Sequence, residues 1–577
     1  MKTNKRRQQN RISIILIIVA LLLIIGCVVY FLCGKMDAGL KDNSDEEIAA
    51  IDNPITSLED EESEELDATK LNELEDLFNT NEYNGFLTYA FTNPSEINWD
   101  EVIFNGAGIN KKNISQKEID EFLKLTDSDE LNTDLLAIDK NDLLTYMKEK
   151  AGVDRQDVNL FELDWIISDK YNCLYAEHGD TNFIPVECIK GVKNGSEITL
   201  DFKPTNDEGY GVLDVNPDRI ITIEETDTGY RVKSMYINWE DGNNPDQTFD
   251  VELPLFEGKC RLITWDRNDE KNEDAKLLLT VDGNYECGDT LGTYDRIEEN
   301  HVHIKTISAI GLFDYNADGR KDIEVMGKNW EGKDELALLK CESPYDGNYS
   351  FVLEAAESNM ILAQIKGELT IPNLKAELLG DNKEGTFSNW KDAFKLVARL
   401  ASSNDDLRFN LAYIDNDDVP ELVVDKPGYN VSVYKFSNGI AQPVIEDWGY
   451  GVAGNHGYEY APKKNCIRNY NSDYAGAIMY TSYISIHDDG EAVADYEVKT
   501  MNFKDLDGDG FPSDEELAAS GADDLEINIE YSCDICVNSD DVTEAGIKEK
   551  IDTFESTYEF SELCGELTYE ELLEKLK

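Results

Sequence analysis

Apolar positions change their period part-way along the chain, and the change divides it into blocks. In "KLNELEDLF" the residues Leu71, Leu74, Leu77 and Phe78 recur at helical spacing and share one face. "SQKEIDEFLKL" opens on Ser115 with Glu118 in the first turn, the pattern of a capping box. "NDLLTYMKEKAG" predicts a third helix, closed at Gly152 by a left-handed cap. Beyond Asp164 the apolar residues alternate instead, as in "SEITLDF", "DRIITIEET" and "YRVKSMYINW", and Gly, Asn and Asp separate the runs. "CRLITW", "KLLLTV", "ISAIGLF", "DIEVMG", "DELALLKC" and "YSFVLEA" predict further strands. "NWKDAFKLVARLAS" (Asn389 to Ser402) returns to helical spacing and leads into a β-rich block that starts at "FNLAYIDNDDVPELVV". Two last helices are read in "EAGIKEKIDTFES" and "TYEELLEKLK", the second with Thr568 and Glu571 as its capping box.

One stretch is apolar without any period. Ile12 to Cys33 carries no charge, follows Lys2, Lys5, Arg6, Arg7 and Arg11, and is followed by Lys35 and a strongly acidic segment. About 20 such residues cross a bilayer as one helix, and the positive flank marks the cytoplasmic side. "IIGC" (Ile24 to Cys27) resembles a lipobox, but the apolar run continues past Cys27, so a membrane anchor is the preferred reading.

The fold class expected is α+β: a transmembrane helix, an acidic stalk, and a multidomain ectodomain with a small helical region followed by mainly antiparallel β domains. The boundaries read as 1–11 cytoplasmic tail, 12–33 transmembrane helix, 34–69 stalk and 70–165 helical region. The β-rich blocks are 166–250 and 251–385, and 386–577 is an α+β block.

Charge narrows the partners. With 119 Asp+Glu against 53 Lys+Arg the formal net charge is −66, which repels nucleic acid and anionic lipid and attracts divalent cations. The hydrophobic fraction, 41%, is enough for buried cores. The cysteines do not form a dense disulfide framework. "CDIC" (Cys533 to Cys536) lacks a thioredoxin-like surround and reads as a local disulfide or two ordinary thiols.

The acids are patterned in three places. "DLDGDGFPSDEE" offers Asp505, Asp507 and Asp509 at alternating positions and Gly510 at the turn. The carbonyl of Phe511, an oxygen of Ser513 and the carboxylate of Glu516 complete a twelve-residue set of the kind that wraps Ca²⁺. It resembles an EF-hand loop, although Pro512 has no N–H for pairing with a sister loop, so a solitary loop is expected. "FDYNADGRKDIEVMG" sets out Asp314, Asn316, Asp318, the carbonyl of Arg320 and Asp322, with Gly319 at the turn. Strands flank it, and it resembles the calcium hairpin of FG-GAP or VCBS-type β repeats. "YIDNDDVPELVV" echoes that plan with Asp415, Asp417 and Glu421. Tyr413 stands in the first ligand place and Asp418 in the glycine place, so a structural hairpin with half its cage lost is expected.

With "NGFLTYAFTNPSEINWDEVIFNGAGI", "HGDTNF", "NWKDAF" and "WGYGVAGNHGYEYAPKKNCIRNYNSDYAGAIMY" added, the chain from about residue 70 to 520 resembles a family of anchored or secreted proteins of Firmicutes, chiefly clostridia. The resemblance implies a surface location and repeated acidic loops, and it carries over no activity.

A search for catalytic motifs yields no G-x-S-x-G elbow, H-E-x-x-H pair, P-loop or Rossmann fingerprint. His301 and His303 alternate in "HVHIK" as solvated strand histidines. His178 with Asp180 in "HGDTNF" is the best catalytic candidate, and a turn is the commoner explanation. The tyrosine-rich segment reads as cross-strand packing ahead of glycan stacking. The expectation is a non-enzymatic, membrane-anchored, calcium-binding surface protein. Its calcium is structural, and its ligand is an extracellular protein, cell-wall polymer or glycan. The alternative is a secreted polysaccharide hydrolase with the calcium loops as scaffold.

Overall fold

The structure, a computed structural model, describes residues 63–577 apart from 207–212, 214, 267–272, 294–300, 343–348, 383–384, 453, 488–489, 507, 509, 520–527 and 534–542. The predicted tail and membrane segment, and most of the predicted stalk, lie outside the described residues. Among the described residues no helix is long and apolar enough to cross a membrane.

The predicted helices form with the expected ends. Ala68–Phe78 buries Leu74 and Phe78 and is capped by Asp67, whose side chain accepts the Lys70 N–H. Gln116–Thr126 and Tyr569–Lys575 start on the Ser115/Glu118 and Thr568/Glu571 capping boxes. Lys140–Ala151 ends on Gly152 at φ 74°, and Trp390–Ala401 is capped by Asn389. Two helices that no sequence reading singled out, Ala355–Gln364 and Ile371–Leu379, lie at the end of the predicted β-rich block 251–385. The helical N-terminal region also contains a strand, Asp134–Asp139, which with Ile166–Ser168 flanks Cys173–His178 in a three-stranded sheet.

The remaining strands form antiparallel sheets in which chain neighbours are usually sheet neighbours. Val186–Asn194, Glu197–Pro204, Asp218–Thr226 and Gly229–Asn238 follow one another in the first, with Glu64–Glu65 added at an edge. Phe249–Val251, Cys260–Trp265, Lys276–Val281 and Asn284–Thr290 make a four-stranded meander. A second meander runs Thr306–Phe313, Asp322–Lys328, Asp334–Glu342 and Ser350–Leu353. A third runs Arg408–Ala412, Glu421–Lys426, Asn430–Ser437 and Ile440–Gly449. A six-stranded sheet, largely from Tyr458 to Cys533, completes the set.

These sheets share cores in chain order. Ile198 and Ile221 of the first sheet pack with Ile263 and Leu278 of the first meander, in a core that also takes Phe78, Phe86 and Leu143 from the N-terminal helices. The opposite face of that meander, Leu262, Leu277 and Leu279, meets Ile323, Val325 and Leu339. Met326, Leu336 and Leu338 then meet Leu422 and Val424, with Leu374, Phe394 and Leu400 from the intervening helices in the same core. Val423, Val433 and Ile445 pack with Ile467, Ile484 and Ile486 of the six-stranded sheet. A central sheet is therefore buried on both faces. That is why "DIEVMG" and "ELVVD" are buried along their whole length, and why the acids in them are taken out of water.

Candidate metal centre

The first acidic hairpin is closed by the pair Phe313 and Asp322, and Asp314 to Lys321 make its turn. Gly319 takes φ 91°, a conformation that favours glycine, and a Cβ there would lie 2.4 Å from the tip of the Ile440 side chain. The Ala317 carbonyl accepts the Ala441 N–H at 2.7 Å, which pins the turn against the next meander. Asp314 Oδ1 accepts the Asp318 N–H (3.1 Å) and its Oδ2 the Gly319 N–H (2.8 Å). Asn316 Oδ1 accepts the Asp318 N–H (3.0 Å), and Asp318 Oδ1 accepts the Arg320 N–H (2.8 Å). Asp322 Oδ2 accepts the Tyr315 N–H (3.0 Å) and Oδ1 the Cys341 N–H (2.8 Å).

All four side-chain ligand candidates are buried: Asp314 and Asn316 are each 8% exposed, Asp318 3% and Asp322 0%. The cations whose fields reach Asp318 are turned elsewhere. Arg320 bonds Glu446 at 2.8 Å, and Lys340 bonds Glu342 at 3.0 Å and Glu446 at 3.2 Å. Burial, with the charge of Asp318, pushes Asp314 up to about 8. Burial also drives Asp318 and Asp322 upward, and for Asp322 the charges of Asp318 and Asp314 add to it.

Glu324, two residues on and on the same strand face as Asp322, is fully buried with neither carboxylate oxygen hydrogen-bonded. It fills the space left by Gly311, where a Cβ would lie 2.6 Å from Glu324 Oε2. Burial and the fields of Asp322 and Asp314 raise its pKa as well. Sequence reading missed Glu324. The signal was an acid at an inward position of a strand otherwise apolar on both faces.

The second hairpin, closed by Ala412 and Glu421, repeats three of the first hairpin's loop bonds. The Ile414 N–H bonds Glu421 Oε2 (2.7 Å) as Tyr315 bonds Asp322. The Asp417 N–H bonds Asp415 Oδ1 (2.9 Å) as Asp318 bonds Asn316. The Val419 N–H bonds Asp417 Oδ1 (2.7 Å) as Arg320 bonds Asp318. With Tyr413 and Asp418 in two of the cage positions, Asp415, Asp417 and Glu421 nevertheless bring ligand atoms within 4.8 Å of one another. A cation explains the convergence: the Lys435 ammonium pairs with Asp415. Burial, with Asp415 and Asp417, lifts Glu421 to about 7.

In the terminal loop, Asp507 and Asp509 lie outside the described residues. Of the other predicted ligands, Asp505 accepts the N–H groups of Gly508 (2.6 Å) and Gly510 (3.1 Å), and both glycines have positive φ. Glu516 is 2% exposed and turns back across the loop. Its Oε1 accepts the Leu506 N–H (2.6 Å), and its Oε2 accepts Ser513 N–H (2.8 Å) and Oγ (2.7 Å). Ser513 thus sits at the start of the helix Asp514–Ala519. Phe511 is 50% exposed, with its ring near Tyr474 (6.4 Å between centroids) and under the Lys499 ammonium (4.8 Å), which also bonds the Gly510 carbonyl at 2.9 Å. Asp505 and Glu516 therefore close the loop from its two ends.

The other candidates lead elsewhere. His178 Nε2 lies 3.1 Å from Asn105 Oδ1, and its ring meets Phe104. The neighbouring cleft, about 470 Å³, is lined by Thr181 and Asn182 of the same motif, and among the described residues Glu101 is the single carboxylate in its lining. His303 Nδ1 lies 2.9 Å from Asp274, and His301 stacks on His303 at 5.9 Å. Cys533 is disulfide-bonded, and Cys536 lies outside the described residues.

Compared with known proteins, the chain matches no protein-family model and no curated protein.

Proposed function

We propose that the chain is a membrane-anchored, cell-surface calcium-binding protein whose ion braces the β meanders, and that the assembled ectodomain binds an extracellular protein, cell-wall polymer or glycan. The observation that carries this reading is the first hairpin. Three carboxylates and an amide are buried at alternating positions while the nearby Arg320 and Lys340 neutralise Glu446 and Glu342 instead. Buried carboxylates without a counter-charge are costly, and an all-oxygen donor set suits a hard divalent cation. Asp314, Asn316, Asp318, Asp322 and the Arg320 carbonyl would hold it there. In the terminal loop the corresponding set is Asp505, Asp507, Asp509, the Phe511 carbonyl, Ser513 and Glu516. In the first hairpin a bound Ca²⁺ would supply the positive charge that Arg320 and Lys340 direct to Glu446 and Glu342.

Calorimetry on the compact unit Glu61–Lys577 tests the reading. Calcium binds with loss of one site in Asp318→Ala and of another in Asp509→Ala. Unchanged stoichiometry in both variants places the ion elsewhere and sinks the assignment. The anchor rests on residues 12–33, and protease added to intact cells reaches the chain beyond Gly34 if the proposed topology holds.

A further inference from the structure

The two hairpins share three loop hydrogen bonds position for position, yet they treat a lysine in opposite ways. In the second meander Ile323 pairs with Leu339, which places Lys340 across from Asp322 on the third strand. In the third meander Leu422 pairs with Tyr434, which places Lys435 across from Glu421. The two lysines therefore occupy the same place in the repeat. Lys340 points to Glu342 and Glu446, and Glu446 comes from the neighbouring meander. Lys435 points into its own hairpin, where its ammonium pairs with Asp415. Burial acts against that ammonium, but Asp415, with the fields of Asp417 and Glu421, outweighs it.

The loops differ in ways that fit this division. The first has left-handed Ala317 and Gly319 and a carboxylate, Asp314, in the first ligand place. The second has Tyr413 in that place, Asp418 for the glycine, and no residue from 413 to 420 at positive φ. Its outermost acid, Asp418, is paired with Lys463 at 2.8 Å.

We infer that Lys435 is a built-in cation standing in for a metal ion in the second hairpin, and that the direction of this third-strand lysine decides which repeat takes an ion. Glu446 belongs to the same device: by drawing Lys340 away, together with Glu342, it leaves the first cage to an external cation. One ammonium against three carboxylates is a partial match, and it needs no ligand from solution. The second hairpin is on this account metal-independent as it stands and a latent cation site once the ammonium is removed.

The inference rests on the proposed calcium reading for its comparison with the first hairpin, but its own readout is confined to the second. The probe is Tb³⁺ bound to the full-length chain, counted by luminescence titration and checked by competition with Ca²⁺. Lys435→Met gains one bound ion per chain over the wild type. The added ion is lost again in Lys435→Met/Asp417→Asn, and Lys435→Arg, which keeps the charge, gains none. Asp417→Asn alone leaves the wild-type count unchanged. A folded Lys435→Met chain with no added ion overturns the inference, and so does a wild type that loses an ion on Asp417→Asn. Should Lys435→Met not fold, Lys435→Gln, which keeps a hydrogen-bonding amide without the charge, gives the same count. Loss or retention of an ion in Asp318→Ala reports separately on the first hairpin, so the two readings fail independently.

Discussion

Asp314→Asn separates a cage built for a cation from one built for backbone hydrogen bonds alone. Asp314 stands beside Asp318 and Asp322 in the buried first hairpin. Two carboxylates about 5 Å apart repel by about 3 kcal/mol at an effective dielectric constant of about 20. Asn keeps one acceptor, so one of the two loop bonds, from the Asp318 N–H (3.1 Å) or the Gly319 N–H (2.8 Å), is lost. That loss costs about 1 kcal/mol. In chelator above pH 8, where Asp314 is charged, the variant is therefore more stable than the wild type by about 1–2 kcal/mol. With calcium the order reverses. A site with a dissociation constant of about 10 μM, at about 1 mM free ion, adds about 2.7 kcal/mol to the wild type and almost nothing to the variant. Urea denaturation at pH 8.5, with chelator and again with calcium, reads both signs. A variant that keeps the full calcium-dependent gain, or that is destabilised equally in both buffers, refutes the reasoning.

Two further outcomes follow from the groups around that hairpin. Arg320→Ala removes the 2.8 Å bond to Glu446, in which both side chains are mostly buried, and the bond to the Cys341 carbonyl. The expected loss is about 2–3 kcal/mol by denaturation, toward the lower end because Lys340 still reaches Glu446. Glu357, which accepts the Tyr315 hydroxyl at 2.8 Å, is pushed up to about 8 by burial and by Glu354. Its folded pKa lies above the unfolded value, so stability is lost as pH rises from about 4.5 through 8. Glu357→Gln, which keeps an acceptor for Tyr315, is expected to gain about 1–3 kcal/mol relative to wild type at pH 8.5 and nothing at pH 4.5. A parallel pH profile for the two proteins excludes this role for Glu357.

Much of the local structure was legible because it is local. Capping boxes at Ser115 and Thr568, the glycine cap at Gly152, and strands such as Asp218–Thr226 depend on neighbours a few residues away. Most strands also pair with the next strand in the chain, so alternation and turn residues carry the pairing with them. The helices Ala355–Gln364 and Ile371–Leu379 escaped notice because their apolar stripes are weak and their burial comes from two sheets far apart in sequence. The strand within 70–165 was hidden in the same way: Asp134–Asp139 pairs with Cys173–His178, across an intervening helix.

For the candidate site, the alternating donors Asp314, Asn316, Asp318 and Asp322 were evident from spacing, and so was the echo at Asp415, Asp417 and Glu421. Loop chemistry of that kind is written in consecutive residues, because a turn of this length gathers its own side chains. Which cage faces a cation of the protein's own was not written there. Lys435 and Lys340 hold equivalent places in their meanders, and the local difference between them is Glu342, two residues after Lys340, where Ser437 follows Lys435. The rest of the difference comes from Glu446, brought beside Arg320 and Lys340 by the packing of one meander on the next. Charge compensation acts through space over a few ångströms, whereas the sequence orders the same groups more than a hundred residues apart, so only the tertiary structure could decide it.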